Sequence, residues 1–245
     1  MKYVGSKNKI AKDILPIIQS YIDNPLCQGY IEPFVGGANM IDKVKCKHKY
    51  GFDIHKYLIA LLNQAKEDCS VFPNTIDKST YLDVKSDPIK YEDWFVGLVG
   101  FCASYNGKWF DGFANGVKTK IGTIRNYTDE AIRNLIKQSP NLKDIIFHCR
   151  DFRTVKSDKV KSYVIYCDIP YKGTTKYKTE DFPYDEFYDW CREMSKDNIV
   201  LISEYNMPDD FECIWSKEVK CTLDKSSRSD KVEKLFIHKS LKNIY

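Results

Sequence analysis

The sequence predicts an α/β protein built on one doubly wound, mainly parallel sheet, and three observations predict it. Two strand-to-helix passages fall in the first third of the chain. Strand and helix alternate again after about residue 127, while between, from about Asp68 to Asn126, the pattern changes and helix-like sequence gives way to a polar stretch punctuated by glycine. A chain of 245 residues is long enough for one sizeable core with a smaller module appended or inserted. The expected organisation is therefore a main domain over 1–67 and 127–245, with an inserted module over 68–126.

Each element has its own signal. Ile10, Ile14, Ile17, Ile18 and Tyr21 recur at helical spacing, so a first helix follows the glycine-containing turn "YVGSK", and Pro16 is expected to kink it or end it early. "GYIEPFVGGANM" reads as a short strand broken by Pro33 and a glycine pair, and "KYGFDI" as a second strand ending on Asp53. "HKYLIALLNQAKED" continues as a helix. Helix-like sequence around Trp94 to Cys102 gives way to "SYNGKWFDGFANGVKTKIGTIRNY". After it, "TDEAIRNLIKQS" places Ile132, Leu135 and Ile136 on one helical face, with Thr128 as the expected cap and Asp129 and Glu130 favourable in the first turn. The strands "DIIFHCRDF", "SYVIYCDIP", "NIVLISEYN" and "KVEKLFIHK" complete the sheet, and Phe187, Trp190, Cys191 and Met194 mark a helix between two of them.

Composition narrows the function classes. A net charge of +4 is compatible with a nucleic-acid partner, so the placement of the charges has to decide. The nine cysteines form no C-x-x-C pair, which argues against a zinc site; no metal is expected. No apolar run approaches the roughly 20 residues needed to cross a bilayer, and the N-terminus lacks a secretory pattern. A cytoplasmic protein with reduced thiols is expected.

In open α/β sheets, ligands bind beyond the carboxyl ends of the strands. Glu32-Pro33-Phe34-Val35-Gly36-Gly37 is one such loop, where absent side chains let a ligand approach the backbone, although a purely structural turn has the same pattern. Asp53 ends the next strand, where a carboxylate commonly accepts hydrogen bonds from ribose hydroxyls; it suits equally a cap for the helix that follows. Together, in this order, they suggest a nucleoside-containing cofactor, while the absence of G-x-G-x-x-G speaks against a dinucleotide. The third loop, "VIYCDIPYKGT", runs from an apolar strand into Asp168, Ile169, Pro170 and Tyr171.

"EPFVGG", "FDI" and "DIPY", in this order, resemble the Dam-like DNA adenine methyltransferase family, whose catalytic loop reads D-P-P-Y. "YVGSK", "SEYNMPDDF" and "SSRSDKVEKLFIH" extend the resemblance over nearly the whole chain. It implies a Rossmann-like methyltransferase fold, S-adenosyl-L-methionine as cofactor and methyl transfer to the exocyclic amino group of adenine in double-stranded DNA. Tyr3 and Lys7 would then lie near the methionine part of the cofactor, Glu32, Pro33, Phe34, Gly36 and Gly37 would border it together with Asp168, and Asp53 would hold the ribose. Asp168 and the Ile169 carbonyl would accept the amino hydrogens, with Pro170 shaping the loop and Tyr171 stacking on the flipped base.

The inserted segment interleaves Lys108, Lys118, Lys120 and Arg125 with Tyr105, Trp109, Phe110, Phe113 and Tyr127, as expected of a hairpin that touches phosphates and intrudes on bases; a merely solvated hairpin is the alternative. Lys217, Lys220, Lys225, Arg228 and Lys231 form a second basic run. Expected partners are duplex DNA and a cognate restriction endonuclease, with the protein a monomer. The rival readings are methylation of cytosine in DNA or of adenine in RNA, and a non-catalytic DNA-binding relative, for which Ile169 in place of the family's proline is the warning sign.

Overall fold

The computed structural model describes residues 1–171, 182–219 and 231–243. The main strands are β1 (Gly29–Glu32), β2 (Lys49–Asp53), β5 (Ile145–Cys149), β6 (Tyr163–Asp168), β7 (Ile199–Ser203), β8 (Phe211–Val219) and β9 (Lys231–His238), and two short ones, β3 (Val117–Lys118) and β4 (Ile124–Arg125), form a separate hairpin. The helices are α1 (Ala11–Ile22), α2 (Lys56–Glu67), α3 (Lys78–Ser86), α4 (Asp93–Cys102), α5 (Tyr127–Gln138) and α6 (Tyr184–Met194). Seven strands follow the order β5-β2-β1-β6-β7-β9-β8. The expected mainly parallel α/β sheet is therefore present. Two compact units divide the chain, one of residues 1–15 and 35–150, the other of 16–34 and 151–245.

In the first unit β2 and β5 pair in parallel from Lys49↔Ile145 to Asp53↔Cys149. α2 covers them with Leu58, Leu61 and Leu62, all fully buried. α4 packs on α2 at Gly97, where a Cβ would stand 2.1 Å from the Tyr57 carbonyl oxygen, so only glycine lets the two backbones approach this closely. The segment 68–126 is thus built onto this unit through α4.

In the second unit β1, β6 and β7 run parallel, with Gly29↔Tyr163 and Val164↔Ile199 in register, and β9 and β8 add antiparallel at the edge. β7 is buried along its whole length, as a central strand covered on both faces must be, and its Ile-Val-Leu-Ile run lacks polar alternation for that reason. Chain order reverses between β1 and β6, the place where an open α/β sheet opens a crevice beyond its strand ends.

Four local expectations need correction. α1 does not end at Pro16 but continues to Ile22. Both Pro16 and Lys12, whose carbonyl loses its helical donor, are exposed, so water can take the orphaned oxygen. The cap of α5 is Asn126, whose Oδ1 accepts from the Thr128 and Asp129 amides at 3.0 and 3.4 Å, while Thr128 is buried inside the helix. Ile136 is partly exposed beside the buried Ile132 and Leu135. β8 gave no sequence signal, because "FECIWSKEV" keeps no regular apolar–polar alternation and, as an edge strand, carries charged residues among its apolar ones. Lys172, Gly173 and Thr174 of the opening motif, Lys220, Lys225 and Arg228 of the second basic run and residues 226–230 of "SSRSDKVEKLFIH" lie outside the described residues.

Candidate active site

In the second unit, Glu32 ends β1 and Asp168 ends β6 on neighbouring parallel strands, at the carboxyl edge where the strand order reverses. Glu32 is buried and accepts a 2.7 Å hydrogen bond from the Tyr30 hydroxyl on the same strand face. Pro33 is buried behind it, and the Phe34 ring packs against Phe152, Phe182 and Phe187 at 5.5 to 5.7 Å. Asp168 stands opposite Ser203 of β7, whose Oγ meets the Tyr166 hydroxyl at 2.8 Å.

Beyond Asp168 the chain turns through Ile169, which is buried, and Pro170, which is exposed. The Tyr184 hydroxyl donates to the Pro170 carbonyl at 2.8 Å and ties the turn to α6. Tyr171 donates its hydroxyl to Glu233 Oε2 at 2.7 Å, and its ring meets Tyr205 edge to face, centroids 4.5 Å apart. Burial, then the nearby Asp168 and Glu233 carboxylates, hold the Tyr171 hydroxyl far above its usual pKa. Burial raises Tyr166 in the same way, with Asp168, Glu32 and Glu233 adding to it. The corner therefore gathers the carboxyl groups of Glu32, Asp168 and Glu233 near two tyrosine hydroxyls.

In the first unit, Asp53 ends β2 and holds the glycine loop: Oδ2 accepts from the Gly36 amide at 3.2 Å and Oδ1 from His55 at 3.0 Å. Burial raises its pKa, and the amides of His55, Gly36 and Ile54 oppose that shift. Asp53 does not cap α2; the cap is His55, whose Nδ1 accepts from the Leu58 amide at 3.3 Å. Gly36 has φ of +48°, and a Cβ there would lie 3.0 Å from the Tyr3 ring, while one at Gly37 would lie 2.7 Å from Tyr3 Cβ. Both glycines are required for Tyr3 to lie on the loop. Gln138, from the end of α5, donates to the Gly37 and Ala38 carbonyls at 3.2 and 3.0 Å and to Asp42 at 2.9 Å. Lys7 sits nearly buried in a single 3-10 turn that Ser6 opens.

The hairpin residues fall into two groups. Lys118 lies on β3 and Lys120 in the turn, both exposed, beside Ile121 and Ile124, which are 85% and 78% exposed. Lys108, in contrast, pairs with Asp111 at 2.8 Å, and Arg125 forms two 2.7 Å bonds to Glu130. Trp109 is packed into an aromatic cluster, stacked on Tyr57 and against His55 and Phe101, over Gly100. Among the described residues no group of three or more His, Cys, Asp or Glu could hold a metal, and no helix is long and apolar enough to cross a membrane.

The model of the D12 class N6 adenine-specific DNA methyltransferases matches residues 3–96 and 105–226, which takes in the glycine loop, Asp53 and the Asp168 corner. The chain belongs to this family. It is an adenine-specific DNA methyltransferase, and S-adenosyl-L-methionine is its methyl donor. Adenine and DNA are both in the family's description, so the cytosine, RNA and non-catalytic readings are not favoured. No curated protein matches the methyltransferase by sequence. Among solved structures, it is similar to the rRNA methyltransferase AviRa from Streptomyces viridochromogenes, with 6% identity over 97% of this chain and 86% of that one and a TM-score of 0.45; a second structure of AviRa gives 8%, 94%, 84% and 0.43. The protein SMU.472 complexed with SAH has 9% identity over 97% of this chain and 54% of that one, with a TM-score of 0.40.

The residues present fit this donor. The Asp53 carboxylate, which already accepts from the backbone amides of Gly36 and His55 and is acted on by that of Ile54, would keep acceptor capacity for a ribose hydroxyl. The glycine loop and the nearly buried Lys7 lie in the same unit as Asp53, where Lys7 would supply a cation for the donor's carboxylate. Sequence reasoning missed Gln138, Glu233 and His55, and took Trp109 for a surface residue. The first two act on partners 100 and 62 residues away, which no local pattern encodes.

Proposed function

We propose that the methyltransferase performs its chemistry at the corner Asp168-Ile169-Pro170-Tyr171. Adenine's exocyclic nitrogen is a poor nucleophile because its lone pair is delocalised into the ring. Two acceptors, the Asp168 carboxylate and the Ile169 carbonyl, each take one amino hydrogen, favour a pyramidal nitrogen and stabilise the positive charge that develops on it. Tyr171 stacks on the base, which has to leave the duplex to be reached. The bound donor supplies an electrophilic methyl group on a cationic sulfur. The observation that carries this reading is the placement of Asp168 at the carboxyl end of β6, beside Glu32 at the end of the parallel neighbour β1, where the strand order reverses.

In the same reading Tyr3 and Lys7 take the methionine end of the donor, Glu32, Pro33, Phe34, Gly36, Gly37 and Asp168 border it, and Asp53 accepts from the ribose. Segment 68–126 is the target-recognition module. Lys118 and Lys120 meet phosphates, with Ile121 and Ile124 as apolar tips beside them. Lys108 and Arg125 contribute after exchanging their carboxylate partners, and Trp109 acts by holding the module to α2 and α4.

The test is expression in a host free of DNA methylation, followed by sequencing of the native DNA for modified bases. The parent protein is expected to leave N6-methyladenine within a defined short sequence, and folded Asp168→Ala to leave none. Turnover near the parent level in Asp168→Ala overturns the mechanism.

A further inference from the structure

A ring that stacks on an extruded base is useful only if its plane is set before the base arrives, since ordering it afterwards costs part of the interaction. Tyr171 lies beyond the end of β6, outside any strand or helix, where side chains are held less firmly than within a strand. Its hydroxyl donates to Glu233 at 2.7 Å, and Glu233 is carried by β9 in register with Lys217 of β8, inside the antiparallel ladder. The register Ser203↔Leu235 between β7 and β9 brings the residues after β7 opposite those before Leu235. Tyr205, two residues beyond the end of β7, meets the Tyr171 ring edge to face, at 77°. A carboxylate accepting from a phenol makes a charge-assisted bond, about twice as strong as a neutral one.

We propose that Glu233 is a positioning residue for methyl transfer: it fixes the plane of the Tyr171 ring through its hydroxyl, and the edge-to-face contact with Tyr205 limits the ring's rotation. The proposal rests on Tyr171 being the base-stacking residue. Glu233 itself touches neither base nor donor.

The experiment uses the full chain with duplex DNA carrying its recognised site, reading methylation rate and the fluorescence of 2-aminopurine placed at the target base, with donor affinity as a control for folding. Glu233→Ala and Tyr171→Phe remove the same bond and should each lower kcat about ten- to a hundredfold and reduce the fluorescence rise, with donor affinity unchanged. The double variant should be no worse than either single one. Glu233→Gln keeps an acceptor and should recover most of the loss. Additive losses, or an unimpaired Tyr171→Phe, overturn the positioning role while Tyr171→Ala remains defective. If Tyr171→Ala alters neither rate nor fluorescence, the stacking reading fails and the positioning role with it. Should Glu233→Ala not fold, Tyr171→Phe alone decides, since it deletes the bond without touching the strand.

Discussion

At the scale of single residues, Ile169 carries the question that the family's proline raises. The chemistry asked of that position is a carbonyl oxygen, which isoleucine has. Its side chain is 3% exposed, so the bulkier group has found room in the core. Pro170 biases its predecessor toward extended backbone, which keeps the turn's shape without a ring at 169. Ile169→Pro should therefore lose part of a buried side chain, about 1–3 kcal/mol, offset by about 0.4–1 kcal/mol from restricting the unfolded chain. The methylation rate should change by less than about tenfold, or about 1.4 kcal/mol of barrier. Urea unfolding and single-turnover kinetics measure the two effects. An inert parent protein switched on by Ile169→Pro would contradict the account.

At the scale of elements, the start of α2 couples structure to pH. His55 caps the helix with Nδ1 and packs against Phe101 and Trp109, ring centroids 5.1 and 4.2 Å away. Burial lowers its pKa from 6.5 to about 4. The fold thus holds His55 neutral, while the unfolded chain takes up the proton near 6.5. Its contribution to stability is complete above that pH and falls progressively as pH drops toward 4, because the unfolded state binds more protons there. His55→Asn retains a capping oxygen and removes the titration. Denaturation midpoints measured from pH 7 to 4 should fall less steeply for this variant than for the parent. Parallel curves would assign the acid sensitivity to other groups.

At the scale of the molecule, the net charge of +4 understates how selectively cations are available. Lys108, Arg125, Arg153 and Arg192 are engaged by carboxylates at 2.6 to 3.0 Å. Among the described residues, Lys118 and Lys120 have no such partner and are exposed. The two should therefore dominate the phosphate contacts of the hairpin. Changing both to alanine should weaken DNA binding and lower the log–log salt slope by about 1.8, since each phosphate contact adds roughly 0.9 on duplex DNA. Fluorescence anisotropy across a salt series measures it, and an unchanged slope would return the hairpin to solvent.

The sequence by itself determined the α/β alternation, the ends of β2 and β6 on Asp53 and Asp168, and the glycine loop. These are local: apolar period, chain-breaking residues and a carboxylate at a strand end are written within a few neighbours. It also determined the family, through ordered motifs. Tertiary structure alone decided what each of those groups holds. Gln138 reaches Gly37 and Ala38 from across about a hundred residues, and Glu233 reaches Tyr171 across 62. Trp109 was turned from a surface aromatic into the packing partner of Tyr57 and Gly100, and His55 rather than Asp53 became the cap of α2, while Asp53 also holds the Gly36 amide. Such assignments depend on which strands and helices become neighbours, and burial of apolar surface over the whole chain selects those neighbours without leaving a local sequence pattern.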